Sequence, residues 1–117
     1  MKSEQLKIVF MGTPDFSVPA LRILPRSGYD VALVVTRPDR PKGRGRRLTQ
    51  PPVKAAALEL GLKVVQPLTI QDPLFVSQIR ALEPDMFVVA AMGQILPQEL
   101  LDIPRSGAIN IHGSLLP

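Results

Sequence analysis

The chain has 117 residues, 45% of them apolar, so it is long enough to bury one core and too short for two complete domains. It has no cysteine and one histidine, which excludes a disulfide framework and disfavours a zinc site, so we expect no metal. Aromatic residues make up only 4%, which argues against a base-stacking platform for nucleic acid. No apolar run approaches the roughly 18 residues of a membrane span, and the run over 6–11 is too short for a signal peptide. The sequence therefore predicts a soluble, cytoplasmic protein without membrane contact.

The net charge of +4 is concentrated in one stretch of the chain. Residues 37–54 hold seven basic side chains and a single acid, Asp39, which gives a local net charge of +6. The remaining residues hold seven basic and nine acidic side chains. A local cluster of this kind is typical of a protein that contacts a polyanion at one place.

The first part of the chain predicts two buried strands joined by a helix. The apolar run 6–11 predicts the first strand. Thr13 follows it and can cap a helix, which we expect to reach about Leu24 and to end at Pro25. A second strand is predicted over 31–35.

The basic stretch comes next, and with four prolines and two glycines between residues 38 and 52 we expect it to be a loop. After it, helical and strand patterns alternate to the end of the chain. The predicted elements are a helix over 53–60, a strand over 62–65, a helix starting at Asp72, a strand over 86–91, a helix over 97–101 and a strand over 108–112.

This alternation predicts an α/β fold with an open, mostly parallel sheet and helices on both faces, because its strands are continuous apolar runs rather than alternating ones. In such sheets ligands bind beyond the carboxyl ends of the strands. Gly12, Gly93 and the segment 110–117 all fall at that edge. Their convergence predicts the position of a site.

Asn110 and His112 are the candidate catalytic pair. They lie two residues apart on a predicted strand, so their side chains point to one face, roughly 7 Å apart along the backbone. An amide can stabilise a developing oxyanion, and an imidazole can move a proton, as attack of an amine on a carbonyl carbon requires. A lone histidine is more often structural, but its neighbours Asn110 and Gly113 and the turn 114–117 favour catalysis.

Two glycine motifs are less specific. The turn at Gly12 lacks the spaced glycines of a dinucleotide site and the Gly-Lys-Ser/Thr of a triphosphate loop, so it favours a simple turn. Gly93 is either a turn residue or a point where the backbone approaches a planar ligand closely.

The basic stretch favours RNA or another polyanion as its ligand. Arginine outnumbers lysine in it, and arginine makes bidentate contacts with phosphate and base edges. The candidate contact residues are Arg40, Lys42, Arg44, Arg46 and Arg47.

Three motifs together resemble the N-terminal part of the methionyl-tRNA formyltransferases: the turn at 12–16, the basic run 38–46 and the run 110–117. The resemblance covers essentially all of this chain but about the first third of such an enzyme. It implies a Rossmann-like catalytic domain over residues 1–117 that is incomplete at its C-terminal end, with a basic insertion loop at 37–52. The C-terminal barrel domain of the family is absent from these residues.

The resemblance also implies a reaction, the transfer of a formyl group from 10-formyltetrahydrofolate to the amino group of methionyl initiator tRNA, in translation initiation. Asn110 would stabilise the oxyanion, His112 would handle protons, and Arg44 would enter the acceptor end of the tRNA. The folate site would be formed by Gly93, Ser114, Leu115, Leu116 and Pro117. The family's catalytic aspartate lies downstream of this sequence, so we expect the 117 residues alone to be inactive or nearly so.

Met92 departs from the family pattern, which usually has tyrosine there. Two alternatives remain open from the sequence. A formyltransferase acting on a nucleotide amino-sugar would share Asn110 and His112 without needing the basic stretch. A non-catalytic RNA-binding domain would use the basic stretch alone.

Overall fold

A computed structural model describes residues 5–13, 15–42, 45, 47–90 and 96–111. The strands are β1 (Lys7–Gly12), β2 (Asp30–Val35), β3 (Arg40–Lys42), β4 (Arg47–Thr49), β5 (Val64–Val65), β6 (Met86–Ala90) and β7 (Ala108–Asn110). The helices are α1 (Val18–Arg26), α2 (Pro52–Glu59), α3 (Pro73–Leu82) and α4 (Gln98–Leu101), and a 3₁₀ turn over Asp15–Ser17 precedes α1.

Five strands form one sheet in the order β5-β2-β1-β6-β7, and every neighbouring pair is parallel. The chain builds the sheet outward from β1 through β2 to β5, then crosses to the other side of β1 to place β6 and β7. This confirms the open, parallel α/β sheet, and its strand order is that of a Rossmann-like fold. The direction of winding reverses between β1 and β6.

The core consists of two apolar layers, one on each face of the sheet. Alternate side chains of β1 enter different layers, with Ile8 and Phe10 on one side and Val9 and Met11 on the other. The first layer is covered by α1 and α2 and the second by α3 and α4, through Leu21, Val53, Ala56 and Ala57 on one side and Phe75, Val76, Ile79 and Leu100 on the other. Continuous apolar strands therefore mean a sheet covered on both faces, as predicted.

The start and end of α1 differ from the prediction. The helix continues through Pro25 to Arg26. A proline removes one N–H donor and crowds the carbonyl group four residues earlier, but Pro25 lies in the last turn, and Ser27 N still donates to Ile23 O at 3.0 Å. Gly28, at φ +89°, then reverses the chain. The N-cap is Ser17 rather than Thr13, since the 3₁₀ turn lies between Thr13 and the helix.

The other boundaries in the parallel sheet and its helices lie within two residues of the prediction. The predicted strand at 62–65 is reduced to β5. Asp72 caps α3, its side chain accepting from Leu74 N at 3.0 Å. Strand β7 lies at the edge of the sheet within the described residues, and all three of its residues are exposed.

Candidate catalytic edge and basic hairpin

The carboxyl ends of β1 and β6 meet where the winding of the sheet reverses, which is where open α/β sheets form their binding crevice. Gly12 ends β1 opposite Ala90. A Cβ at Gly12 would lie 2.9 Å from the backbone oxygen of Ala90 and 3.1 Å from Ser17 Oγ. The close approach of the two strands at this edge therefore requires glycine.

Buried hydroxyl groups line the same edge. Thr13, Ser17 and Thr36 are almost completely buried. Thr13 Oγ1 lies 3.3 Å from Thr36 Oγ1 and accepts from the backbone N–H of Arg37, also at 3.3 Å. Ser17 Oγ donates to Ala90 O at 3.4 Å. Buried hydroxyls need such partners. The contacts of Thr13 connect the end of β1 to the residues after β2, including the first residue of the basic stretch, and the bond of Ser17 connects the 3₁₀ turn to β6.

Asn110 is the last residue of β7 and is exposed. It pairs with Val89 of β6, and Ile111 N continues the pairing by donating to Val89 O at 2.7 Å. Because the five strands of the main sheet are all parallel, Asn110 lies at the same carboxyl edge as Gly12. The structure therefore places Asn110, exposed, at the predicted edge of the sheet, and its catalytic role stays a prediction.

The other predicted catalytic and folate residues lie outside the described part of the chain: Gly93, His112, Ser114, Leu115, Leu116 and Pro117. The pairing of Asn110 with His112 on one face stays a prediction.

The prediction of a loop for the basic stretch is wrong. Strands β3 and β4 form an antiparallel pair with Arg40 opposite Thr49 and Lys42 opposite Arg47. Pro41 fits because a two-stranded ladder leaves half of its backbone N–H groups unpaired, so a missing donor is tolerated there. We call residues 40–49 the basic hairpin.

The candidate tRNA contacts are placed unequally. Arg40 is exposed on β3. Lys42 and Arg47 face each other in the ladder, and their backbones alone are described. Arg44 and Arg46 lie outside the described residues.

A cleft of about 260 Å³ opens at the base of the basic hairpin. The cleft is lined by Arg37, Pro38, Arg40, Pro41, Thr49, Gln50, Pro51 and Pro52. Because two of these residues are arginines, the cleft suits the oxygens of a phosphate group better than an apolar ligand.

Asp39, the single acid of the stretch, is held by two partners. Lys54 Nζ lies 3.1 Å from Asp39 Oδ2 and 3.3 Å from Oδ1. Gln66 Nε2 donates to Asp39 Oδ1 at 2.7 Å and to Arg37 O at 3.1 Å. The hydrogen bond from Gln66, followed by the bond and charge of Lys54, lowers the pKa of Asp39 below its ordinary value.

These contacts of Thr13 and Asp39 were not predicted from the sequence. Thr13 was assigned to a helix cap, and Gln66 carried no signal beyond its place directly after a strand. The one available signal was that Asp39 is the lone acid in a basic stretch, which indicates a specific partner.

Within the described ranges, no three histidine, cysteine or acidic residues lie close enough together to hold a metal ion. Among those same residues, no helix has the length and apolar content needed to cross a membrane.

Comparison with known proteins identifies relatives over nearly the whole chain. The model of the formyl transferase family matches residues 6–117. The chain is 57% identical over 112 residues to a methionyl-tRNA formyltransferase of Ruminiclostridium cellulolyticum, covering 96% of this chain and 36% of that protein. The corresponding enzyme of Lysinibacillus sphaericus is 61% identical over 110 residues, with 94% and 35% covered. That of Bacillus subtilis is 59% identical over 111 residues, with 95% and 35% covered. The chain thus spans about a third of the length of these relatives.

Proposed function

This chain belongs to the formyl transferase family, and we propose that it forms the N-terminal part of the catalytic domain of an enzyme that formylates methionyl initiator tRNA. The formyl donor in this proposal is 10-formyltetrahydrofolate. The relatives named above support the choice of acceptor.

One structural observation carries the proposal. The basic hairpin leaves the sheet at the edge where β7 ends in Asn110, since Arg37 N is bonded to Thr13 directly after β1. A polyanion on the hairpin and a reacting group beside Asn110 are therefore held at one edge of one domain. An aminoacylated RNA needs this combination, because its charge lies along the phosphates and its reactive amine lies at the end.

In the proposed reaction the amine nitrogen of methionine bonds to the formyl carbon, and the bond from that carbon to the donor nitrogen breaks. Asn110 donates a hydrogen bond from Nδ2 to the formyl oxygen as negative charge develops on it. His112 accepts the proton released by the attacking amine and returns it to the departing nitrogen. The donor thus gives up its formyl group, and its nitrogen takes up the proton.

The test is formyl transfer by the complete gene product that contains this chain, with methionyl initiator tRNA and a nucleotide amino-sugar offered in parallel. Transfer to the tRNA alone supports the proposal. Transfer to the sugar alone keeps the chemistry of Asn110 and contradicts the role of the basic hairpin. Binding of RNA without transfer to either acceptor identifies a non-catalytic domain.

Variants of Asn110 sharpen the test. Asn110→Ala and Asn110→Asp both remove the N–H donor, and each is expected to lower kcat by about 100-fold or more. Gln98→Ala is the matched control, because Gln98 is an exposed amide on α4 whose Nε2 donates to Asp102 Oδ1 at 2.8 Å. An unchanged kcat in both Asn110 variants would eliminate the oxyanion role.

A further inference from the structure

Ser17 stands at the N-cap of α1, but its hydroxyl does not cap the helix. No hydrogen bond joins its side chain to the first turn of α1. Its backbone, at φ −78° and ψ −21°, is already helical because Ser17 also ends the 3₁₀ turn, whereas a capping serine normally has an extended backbone. Ser17 is completely buried, and its hydroxyl donates instead to Ala90 O at 3.4 Å. The side chain therefore serves a contact with the neighbouring strand rather than its own helix.

The carboxyl end of β6 is contacted on both sides, at two consecutive carbonyl groups. Val89 O accepts from Ile111 N at 2.7 Å, on the side of β7. The next carbonyl oxygen, Ala90 O, lies on the side of β1, where it meets Gly12 and the hydroxyl of Ser17. Ser17 thus supports the last residue of β6 from the side opposite to β7.

The position of Asn110 depends on β6. All three residues of β7 are exposed, and within the described sheet β6 is the one strand beside it. Their ladder includes a bond from Phe87 N to Gly107 O at 3.0 Å near its amino end and the bond from Ile111 N at its carboxyl end. A shift at the carboxyl end of β6 is therefore transmitted directly to Asn110.

We propose that Ser17 is a positioning residue for the transfer reaction, because its hydroxyl holds the carboxyl end of β6 and β6 in turn holds Asn110. This inference rests on the proposed function, in which Asn110 stabilises the oxyanion. Such a donor must already be in place where the negative charge develops. A misplacement of about 1 Å can cost on the order of 100-fold in rate. Loosening β6 should therefore lower kcat more than it weakens substrate binding.

Ser17→Ala removes the hydroxyl and changes no charge. We expect kcat for formyl transfer to fall about five- to tenfold, with each KM changed by less than about twofold. Ser27→Ala is the matched control, because the Ser27 hydroxyl also donates to a backbone carbonyl, Ile23 O at 3.0 Å, but at the other end of α1. Equal kcat values in Ser17→Ala and Ser27→Ala would overturn the proposal.

Ser17→Cys separates the hydrogen bond from the filling of space. A thiol occupies the position of the hydroxyl but is a weak donor. We therefore expect kcat of Ser17→Cys to stay close to that of Ser17→Ala. Wild-type kcat in Ser17→Cys would show that Ser17 acts by its volume, which contradicts the proposal.

The double variant of Ser17→Ala with Asn110→Ala tests whether Ser17 acts through Asn110. Effects of residues that act as a unit are not additive. The fall in kcat caused by Ser17→Ala should therefore disappear when residue 110 is already alanine. A fall of the same size in both backgrounds would indicate a general loss of structure and eliminate the positioning role.

Amide hydrogen exchange in the complete gene product gives a readout that does not depend on catalysis. The amides of Phe87 and Ile111 belong to the same ladder, near its amino and carboxyl ends. Ser17→Ala should speed exchange at Ile111 about tenfold and leave exchange at Phe87 unchanged, because local opening controls exchange. Rates that stay unchanged at Ile111, or that rise equally at both amides, would overturn the proposal.

These measurements distinguish failure of this inference from failure of the proposed function. Faster exchange at Ile111 with unchanged kcat would show a contact that catalysis does not use, and would overturn the inference alone. Transfer to the nucleotide amino-sugar alone would overturn the proposed acceptor, and kcat with the sugar would then test Ser17. Wild-type protein that transfers to neither acceptor would overturn the proposed function together with the positioning role in catalysis, and exchange at Ile111 would then decide whether Ser17 holds β6.

Discussion

The two parts of the candidate site are held by different forces. At the candidate catalytic edge, which is formed by the ends of β1, β6 and β7 at Gly12, Ala90 and Asn110, β1 and β6 lie between two apolar layers. The approach of Gly12 to Ala90 is too close for a side chain at Gly12. The described side chains of the basic hairpin, those of Arg40, Pro41, Leu48 and Thr49, are exposed, and the segment that enters it is held by a few polar bonds around Arg37 and Asp39. Chemistry on a small reacting group needs fixed geometry, whereas an extended polyanion is bound by cations that must stay accessible. Substitutions in the packed sheet and in the basic hairpin test this difference separately.

The largest expected effect is on the packed layers beneath the catalytic edge. Phe10 is completely buried on β1, so Phe10→Ala should lower the free energy of unfolding by about 3–5 kcal/mol. Phe16→Ala is the control, because Phe16 is 39% exposed in the 3₁₀ turn, and it should cost less than about 1 kcal/mol. Denaturant unfolding of the complete gene product measures both. Similar decreases in the free energy of unfolding in the two variants would contradict the conclusion that apolar burial is the main stabilising force at this edge.

A smaller loss is expected at the strand contact itself. Gly12→Ala places a methyl group against Ala90 O, and overpacking of this kind costs about 1–3 kcal/mol. The nearest atom is the backbone oxygen of Ala90, so adding Ser17→Ala, which removes the hydroxyl 3.1 Å away, should not restore the stability lost relative to Ser17→Ala alone. Restoration in the double variant would place the clash at the Ser17 hydroxyl instead.

Substitution in the basic hairpin should affect binding and spare stability. Arg40→Ala, and Arg44→Ala by family resemblance, should weaken tRNA binding about three- to tenfold. Each should also lower by about one the slope of the logarithm of the binding constant against the logarithm of the salt concentration. The free energy of unfolding should change by less than about 0.5 kcal/mol. Arg26→Ala, an exposed cation at the end of α1, is the control. If the salt dependence of tRNA binding in these variants matches that of the wild type, these arginines do not contact the RNA.

The smallest expected effect is a pH dependence of stability that arises from Asp39, in the segment that enters the basic hairpin. The lowered pKa of Asp39 means that its bonds stabilise the folded protein above the ordinary value of 3.8 and that this contribution is lost as the pH falls through the lowered pKa. Carboxyl NMR titration should show the pKa of Asp39 closer to its ordinary value in Gln66→Leu, because the Gln66 bond is the largest cause of the shift. A titration curve that is the same in Gln66→Leu and wild type would contradict this assignment.

The fold was largely predictable because its signals are local. The apolar runs marked β1, β2 and β6, and Asp72 before Pro73 marked the start of α3. The basic hairpin was missed because proline and glycine signal loops, and its ladder depends on cross-strand pairing between residues up to nine positions apart. The N-cap role of Thr13 was wrong because Thr36 and Arg37, more than twenty residues away, take its hydroxyl instead.

The sequence by itself determined the order of the helices and of the five strands of the parallel sheet, the basic stretch and the motif that contains Asn110, since each depends on neighbouring residues. Only the tertiary structure decided that β6 lies beside β1, that Gly12 meets Ala90, and that Gln66 reaches both Arg37 and Asp39. Those contacts join residues 27 to 78 positions apart. They form because the parallel sheet brings the carboxyl ends of distant strands to one edge, and no local pattern encodes which side chains meet there.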